Sequence, residues 1–117
     1  KYIKAIKDQR VTPTLVSDIS AALKAITDLS STGLYHVSST DSVTPLEFAK
    51  NIAEIFKEDY SLINSIRFDE YNKSKKAKLL KNSWLNPAKF ERQFGKGILH
   101  SVKISLINFK VSVDAKM

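Results

Sequence analysis

The chain has 117 residues, 43% hydrophobic and 26% charged, which predicts a single globular domain with a modest core. It contains no cysteine and no run of about 18 apolar residues. This excludes disulfides, thiolate metal sites and a membrane-spanning helix, and it fits the reducing cytoplasm. The net charge is +7, but five lysines lie between residues 73 and 81, so the basic character is local.

The first predicted element is a short strand within Tyr2–Asp8. Apolar residues then recur at spacings of three and four between Thr14 and Leu29, which predicts an amphipathic helix. The β-rich run Leu34–Val37 predicts a buried strand. Within that run we expect His36 to have a hydrogen-bonded structural role.

The clearest helix start lies at Thr44, which is followed by Pro45 and, three residues after Thr44, by Glu47. This is the pattern of a capping box with proline at the first helical position. It predicts a helix that ends at about residue 57 or 58. The following run, Leu62–Phe68, predicts a third strand.

Beyond a lysine-rich loop, Asn86 and Pro87 predict the start of a short helix that ends before Gly95. The tail combines near-helical apolar spacing with many β-branched residues, and we expect a helix to about residue 109. His100 is expected to be exposed. Because strands alternate with helices, the order predicts an α/β domain with a small parallel sheet of about three strands.

Catalytic and cofactor motifs are missing from the sequence. It has no glycine-rich dinucleotide fingerprint, P-loop, H-E-x-x-H or G-x-S-x-G pattern, so we assign no catalytic, cofactor-binding or metal-binding residue. The lysine-rich loop is either a solvated face or a phosphate-binding patch, with nucleic acid as one candidate ligand. Within this loop Lys78 offers a charge, and just after it Asn82 offers an amide, while Trp84 could cover a ligand ring or fill the core.

Three segments, agreeing in order and spacing, resemble the dTDP-4-dehydrorhamnose reductase family. "DQRVTPTLVSDISAAL" (Asp8–Leu23) is similar to the family's D-Q-x-G-x-P-T segment. "TGLYHVSSTDSVTPLEFAKNIAEIF" (Thr32–Phe56) is similar to its G-x-Y-H strand and the helix that follows. "AKLLKNSWLNPAKFERQFG" (Ala77–Gly95) is similar to A-R-R-P-x-N-S-x-L, followed by a helix ending in F-G.

The resemblance implies the smaller, C-terminal part of an extended short-chain dehydrogenase/reductase. Residues 1–117 would then be a single substrate-binding domain, a fragment that lacks the N-terminal Rossmann domain. The implied partners are a nucleotide-sugar substrate and that Rossmann domain, which would hold NADPH or NADH, and a homodimer is a further possibility. A Tyr-x-x-x-Lys spacing occurs at Tyr71 and Lys75, but it lies in the lysine-rich loop and we interpret it as coincidence.

The resemblance also supplies candidate substrate-binding residues by position. Those at the domain junction and in the substrate loop are Thr12, Pro13, Thr14, Lys78, Asn82 and Ser83. The family's A-R-R-P is Ala77-Lys78-Leu79-Leu80 in this chain, so an arginine and a proline are lost. That departure keeps open a non-catalytic member resembling the regulatory subunit of methionine adenosyltransferase. A small nucleic-acid-binding domain is the least favoured alternative.

Overall fold

The computed structural model describes residues 2–116 and has an α/β architecture. Its elements, with a short 3-10 turn at Tyr60–Leu62, are β1 (Ile3–Ile6), α1 (Val16–Asp28), α2 (Pro45–Ile55), β2 (Ile63–Ile66), α3 (Phe68–Lys73), α4 (Ala88–Phe94) and α5 (Val102–Ala115). Strands β1 and β2 pair in parallel, with Ile3 opposite Ile63 and Ile6 opposite Ile66. The α/β class with a small parallel sheet is therefore confirmed. Since parallel strands need a long crossover, α1 and α2 lie in the connection between them.

The predicted strand at Leu34–Val37 is wrong, and the sheet within residues 2–116 has two strands. The segment packs against α4 instead. The Leu34 carbonyl accepts a hydrogen bond from Lys89 Nζ at 2.7 Å, and the Tyr35 ring meets Phe90 edge-on with ring centroids 6.4 Å apart. His36 is exposed and its ring forms no hydrogen bond to residues 2–116, so the hydrogen-bonded structural role expected for it is also wrong.

The capping box of α2 is confirmed in full. The Thr44 hydroxyl accepts from the Glu47 backbone N–H at 3.1 Å, and the Glu47 carboxylate accepts from the Thr44 N–H at 2.9 Å. These bonds satisfy two groups that a helix start would otherwise leave unpaired. The helix ends at Ile55, two or three residues earlier than expected.

Helices α4 and α5 are confirmed, with shifted bounds. Asn86 Oδ1 accepts from the Ala88 N–H at 3.0 Å, and Gly95, at φ 89°, ends α4 in a conformation that favours glycine. Helix α5 continues to Ala115, past the predicted end. Among residues 2–116, no helix is long and apolar enough to cross a membrane.

Helix α3 was not predicted. It begins at Phe68, which the sequence placed at the end of a strand. The Phe68 side chain is buried, and its backbone N–H donates to Asp8 Oδ1 at 2.6 Å. A carboxylate just after β1 thus binds the first N–H group of α3, a favourable place for a negative charge.

The core has two clusters of buried apolar side chains. One contains Ala22, Phe90 and Leu99. The other contains Val43, Val102 and Leu106. Burial of these side chains is the main source of stability for so small a chain.

An ionisable pair joins α1 to the start of α5. His100 Nδ1 lies 3.0 Å from both carboxylate oxygens of Asp18, and the His100 backbone N–H donates to Asp18 Oδ2 at 3.1 Å. Asp18 is only 4% exposed. The expectation that His100 is exposed was therefore wrong, since only 33% of its side chain is accessible.

Candidate functional site

The candidate site is built around residues 9–14, which we call the junction segment. On one side, the Arg10 N–H donates to the Lys81 carbonyl at 3.1 Å, and the Ser83 N–H donates to the Arg10 carbonyl at 3.2 Å. On the other side, Val11 and Val43 exchange two backbone hydrogen bonds of 2.9 Å each. Residues 80–85 and 38–43 therefore flank the junction segment, although they are far apart in sequence.

Hydrogen bonds of hydroxyl groups connect the junction segment to both of the segments that lie beside it. Thr12 Oγ1 accepts from the Leu85 N–H at 3.3 Å. Thr14 Oγ1 donates to the Thr12 carbonyl at 2.8 Å and accepts from the Ser39 N–H at 3.1 Å. The Ser39 hydroxyl donates to the Pro13 carbonyl. Thr12, Pro13 and Thr14 are half-buried, so each keeps part of its surface accessible.

The structure brings Asn82 and Ser83 beside the junction segment. Asn82 forms a backbone bridge with Arg10, and its exposed side chain makes no hydrogen bond to the described residues 2–116. Ser83 Oγ donates to the Arg10 carbonyl at 3.4 Å, a long and weak bond. Both side chains are thus accessible to a ligand. The assignment of Asn82 and Ser83 as substrate contacts remains a prediction.

Lys78 has a different position from the other candidates. Its ammonium donates to the Asn72 carbonyl at 2.8 Å and to the Lys73 carbonyl at 3.1 Å. These carbonyls lie at the end of α3, where helical acceptors lack backbone partners and a cation is favourable. Lys75 lies over the Tyr71 ring, 4.7 Å from its centroid. Two lysines of the lysine-rich loop therefore contact α3 rather than being wholly solvated.

The sequence did not reveal the role of Arg10. Its guanidinium donates to the Ser42 carbonyl at 2.8 Å and to the Ser42 hydroxyl at 3.1 and 3.2 Å, and it pairs with Glu47 Oε1 at 3.3 Å. The Thr44 backbone hydrogen bond holds the pKa of Glu47 below its ordinary value, and the Arg10 charge acts in the same direction. The planar fork of arginine suits such multiple contacts. The Arg10–Glu47 pair could not be predicted from a local pattern, because the two residues are 37 positions apart in the sequence.

A polar depression of about 250 Å³ lies beside Arg10 and Ser42. It is lined by Thr40, Asp41, Ser42, Trp84, Leu85, Asn86 and Pro87. Trp84 is 50% exposed, so of the two roles considered from the sequence, filling the core is wrong. An accessible indole ring surrounded by hydroxyl, carboxylate and amide groups can bind a ligand that combines a flat ring with polar substituents.

Among residues 2–116, no three His, Cys, Asp or Glu side chains are grouped so that they could hold a metal ion. The grouped side chains suit recognition instead: hydroxyls, an amide, a guanidinium and an aromatic ring. They lie at the meeting of three chain segments on a small α/β domain. This arrangement suits the binding of a ligand that combines a flat ring with polar groups.

Comparison with known proteins identifies the family. Residues 1–103 match the family model described as the RmlD substrate-binding domain. The match covers most of the chain, so the protein belongs to this family. The resemblance found in the sequence is thereby confirmed.

Solved structures agree in fold. The dTDP-4-dehydrorhamnose reductase of Bacillus anthracis, solved in complex with NADP, superposes with a TM-score of 0.80 at 26% identity, over 96% of this chain and 38% of that one. The dTDP-4-dehydrorhamnose reductase of Clostridium acetobutylicum superposes with a TM-score of 0.82 at 20% identity, over 97% of this chain and 39% of that one. The second likeness, at its low identity, concerns the fold alone.

A curated relative is the probable low-salt glycan biosynthesis reductase Agl14 of Haloferax volcanii. It is 33% identical over 58 residues, which are 50% of this chain and 19% of the relative. The chain thus spans about two fifths of the solved reductases and aligns with a fifth of this relative.

Proposed function

We propose that this chain is the substrate-binding part of a reductase that, at full length, uses NADPH or NADH to reduce the 4-keto group of a nucleotide-linked sugar. The observation that carries the proposal is the match of residues 1–103 to a substrate-binding domain family. The likeness to a reductase solved with NADP supports the cofactor. In this proposal a Rossmann domain outside residues 1–117 holds the cofactor, and the cysteine-free chain works in the cytoplasm.

The candidate residues have distinct parts in this proposal. The side chains of Asn82 and Ser83 hydrogen-bond the sugar, beside Thr12 in the junction segment. Trp84 covers a flat ring of the nucleotide, because half of its surface is accessible and polar groups surround it. Lys78 attracts the diphosphate as a point charge, and its ammonium exchanges one of its two α3 carbonyl partners for a phosphate oxygen.

Calorimetric titration of the intact natural protein with a dTDP-linked sugar tests these assignments. A net hydrogen bond is worth about 0.5–1.5 kcal/mol, so Asn82→Ala should weaken binding by about 2- to 10-fold. The matched control is Asn108→Ala, which removes an exposed amide from α5 and should leave Kd unchanged. Failure of the intact protein to bind any dTDP-sugar, or equal effects of both substitutions, would contradict the proposal.

One observation favours a second candidate, the non-catalytic regulatory member of the family. Where the family pattern has arginine and proline, this chain presents Leu79 and Leu80, which are 44% and 72% exposed. Adjacent exposed leucines suit contact with a protein better than contact with a phosphate. Saturable binding of the nucleotide sugar without any turnover would favour this candidate.

The homodimer remains a prediction, and sedimentation of the intact protein tests it.

A further inference from the structure

Arg10 connects the two chain segments that line the polar depression, residues 40–42 and residues 84–87. Its backbone bonds to residues 81 and 83, directly before the segment that carries Trp84. Its guanidinium reaches the other segment and donates to the Ser42 carbonyl at 2.8 Å. Ser42 lines the depression, whereas Arg10 does not. We therefore expect Arg10 to act on an occupant of the depression through Ser42 rather than by direct contact.

The guanidinium also occupies the acceptor sites of the Ser42 hydroxyl. The N–H groups of Arg10 Nε and Nη2 donate to Ser42 Oγ at 3.2 and 3.1 Å. A serine hydroxyl has two acceptor lone pairs and one O–H donor. Because both lone pairs have partners, only the O–H remains, and it has no acceptor among the described residues 2–116. Ser42 therefore offers a hydrogen-bond donor, and no acceptor, to an occupant of the depression.

This contact lies at the surface and is fixed by a third residue. The Arg10 side chain is 44% exposed, and Ser42 is half-buried in the wall of the depression. Glu47, which completes the capping box of α2, accepts from Arg10 Nη1 at 3.3 Å. Hydrogen bonds from a guanidinium are charge-assisted and lie in one plane. Glu47 therefore fixes the plane of the guanidinium, and the guanidinium in turn orients the Ser42 hydroxyl.

We propose that Ser42 is a specificity-determining residue that donates a hydrogen bond to a carbonyl oxygen of the flat ring covered by Trp84, and that Arg10 is the positioning residue that orients its hydroxyl. Trp84 and Ser42 line the same depression, and the Trp84 side chain is accessible. A hydroxyl that only donates favours a ring with a carbonyl oxygen, because an amino group at the same place would find no acceptor on Ser42. This inference rests on the proposed function, since it takes the ring to be the base of the bound nucleotide.

A double-mutant cycle with dTDP as the probe tests the role of Arg10. Calorimetric titration gives Kd for the intact natural protein, for Ser42→Ala, for Arg10→Ala and for the double variant. Ser42→Ala should weaken binding about 2- to 10-fold, as expected for the loss of one hydrogen bond. The double variant should bind no more weakly than Ser42→Ala, because Arg10 acts through Ser42. The matched controls Arg92→Ala and Ser112→Ala remove exposed side chains from α4 and α5 and should leave Kd unchanged.

Thio analogues of the probe test the role of Ser42. In 2-thio-dTDP and 4-thio-dTDP, sulfur, a weaker hydrogen-bond acceptor, replaces one of the two ring carbonyl oxygens. One analogue should bind the wild type about 2- to 10-fold more weakly than dTDP, and this difference should disappear in Ser42→Ala.

Two results would overturn this inference and leave the proposed function standing. The first is an additive effect of Arg10→Ala and Ser42→Ala on Kd, which would mean that Arg10 does not act through Ser42. The second is a sulfur effect of equal size in the wild type and in Ser42→Ala, or no sulfur effect in either. Failure of the intact protein to bind dTDP and every dTDP-linked sugar would overturn the proposed function as well.

Discussion

Replacing Asp18 tests the connection between α1 and the start of α5. Its buried carboxylate accepts one hydrogen bond from the His100 ring and one from the His100 backbone N–H, at 3.0 and 3.1 Å. A hydrogen bond to a charged group contributes about 1.5–3 kcal/mol. We take the free energy of the hydrogen bond from the His100 ring at the low end of this range, since a third of the His100 side chain is exposed. Asp18→Ala should therefore lower the free energy of unfolding by about 3 kcal/mol.

Urea unfolding of the intact protein, followed by circular dichroism, measures this cost. Asp18→Asn keeps one oxygen acceptor and should cost about half as much as the alanine variant. Asp28→Ala is the matched control on the same helix, because Asp28 forms an exposed pair with Lys24 worth about 0.5 kcal/mol or less. Equal costs for Asp18→Ala and Asp28→Ala would refute the reasoning.

Three further predictions concern caps and core. The Thr44 backbone hydrogen bond lowers the pKa of Glu47 in the folded protein. The ionised Glu47 carboxylate therefore stabilises the fold fully above its unfolded pKa of about 4.3. This stabilisation is lost as pH falls through the lower pKa of the folded protein. Urea midpoints between pH 7 and 3 should therefore fall more for the wild type than for Glu47→Gln, and parallel curves would contradict this. Phe90→Ala should cost about 3–5 kcal/mol in urea unfolding, because Phe90 is fully buried. A cost below 1 kcal/mol would mean that the Phe90 side chain does not pack in the core. Gly95→Ala should cost about 1 kcal/mol, because φ is 89° although no atom lies within 4 Å of the added Cβ. An unchanged melting temperature would show that this turn tolerates a side chain.

Features encoded within a few residues could be predicted from the sequence. The capping box at Thr44 and the helix stop at Gly95 depend on groups that are neighbours along the chain, and both were found. The parallel sheet followed from the alternation of strands and helices. The bounds of α5 were less accurate, since β-branched residues and helical spacing gave opposing signals.

Features that depend on distant partners could not be predicted. Leu34–Val37 has the composition of a strand, but composition does not supply a neighbouring strand, and the segment packs on α4. Asp18 and His100 are separated by 82 residues, so no local pattern indicated their pairing. In the candidate site, the family resemblance supplied Thr12 and Asn82 as candidates, and their role in substrate binding remains a prediction. The Arg10 contacts and the exposure of the Trp84 ring became evident only from the structure.

Substrate reduction by the intact natural protein tests the central claim most directly. NADPH absorbance is followed after addition of dTDP-4-dehydrorhamnose, with dTDP alone as the control. The proposed function predicts oxidation of NADPH that requires the keto sugar and is slowed by Asn82→Ala but not by Asn108→Ala. No oxidation of NADPH or NADH, with the nucleotide sugar bound or not, would contradict the assignment of this chain to a working reductase.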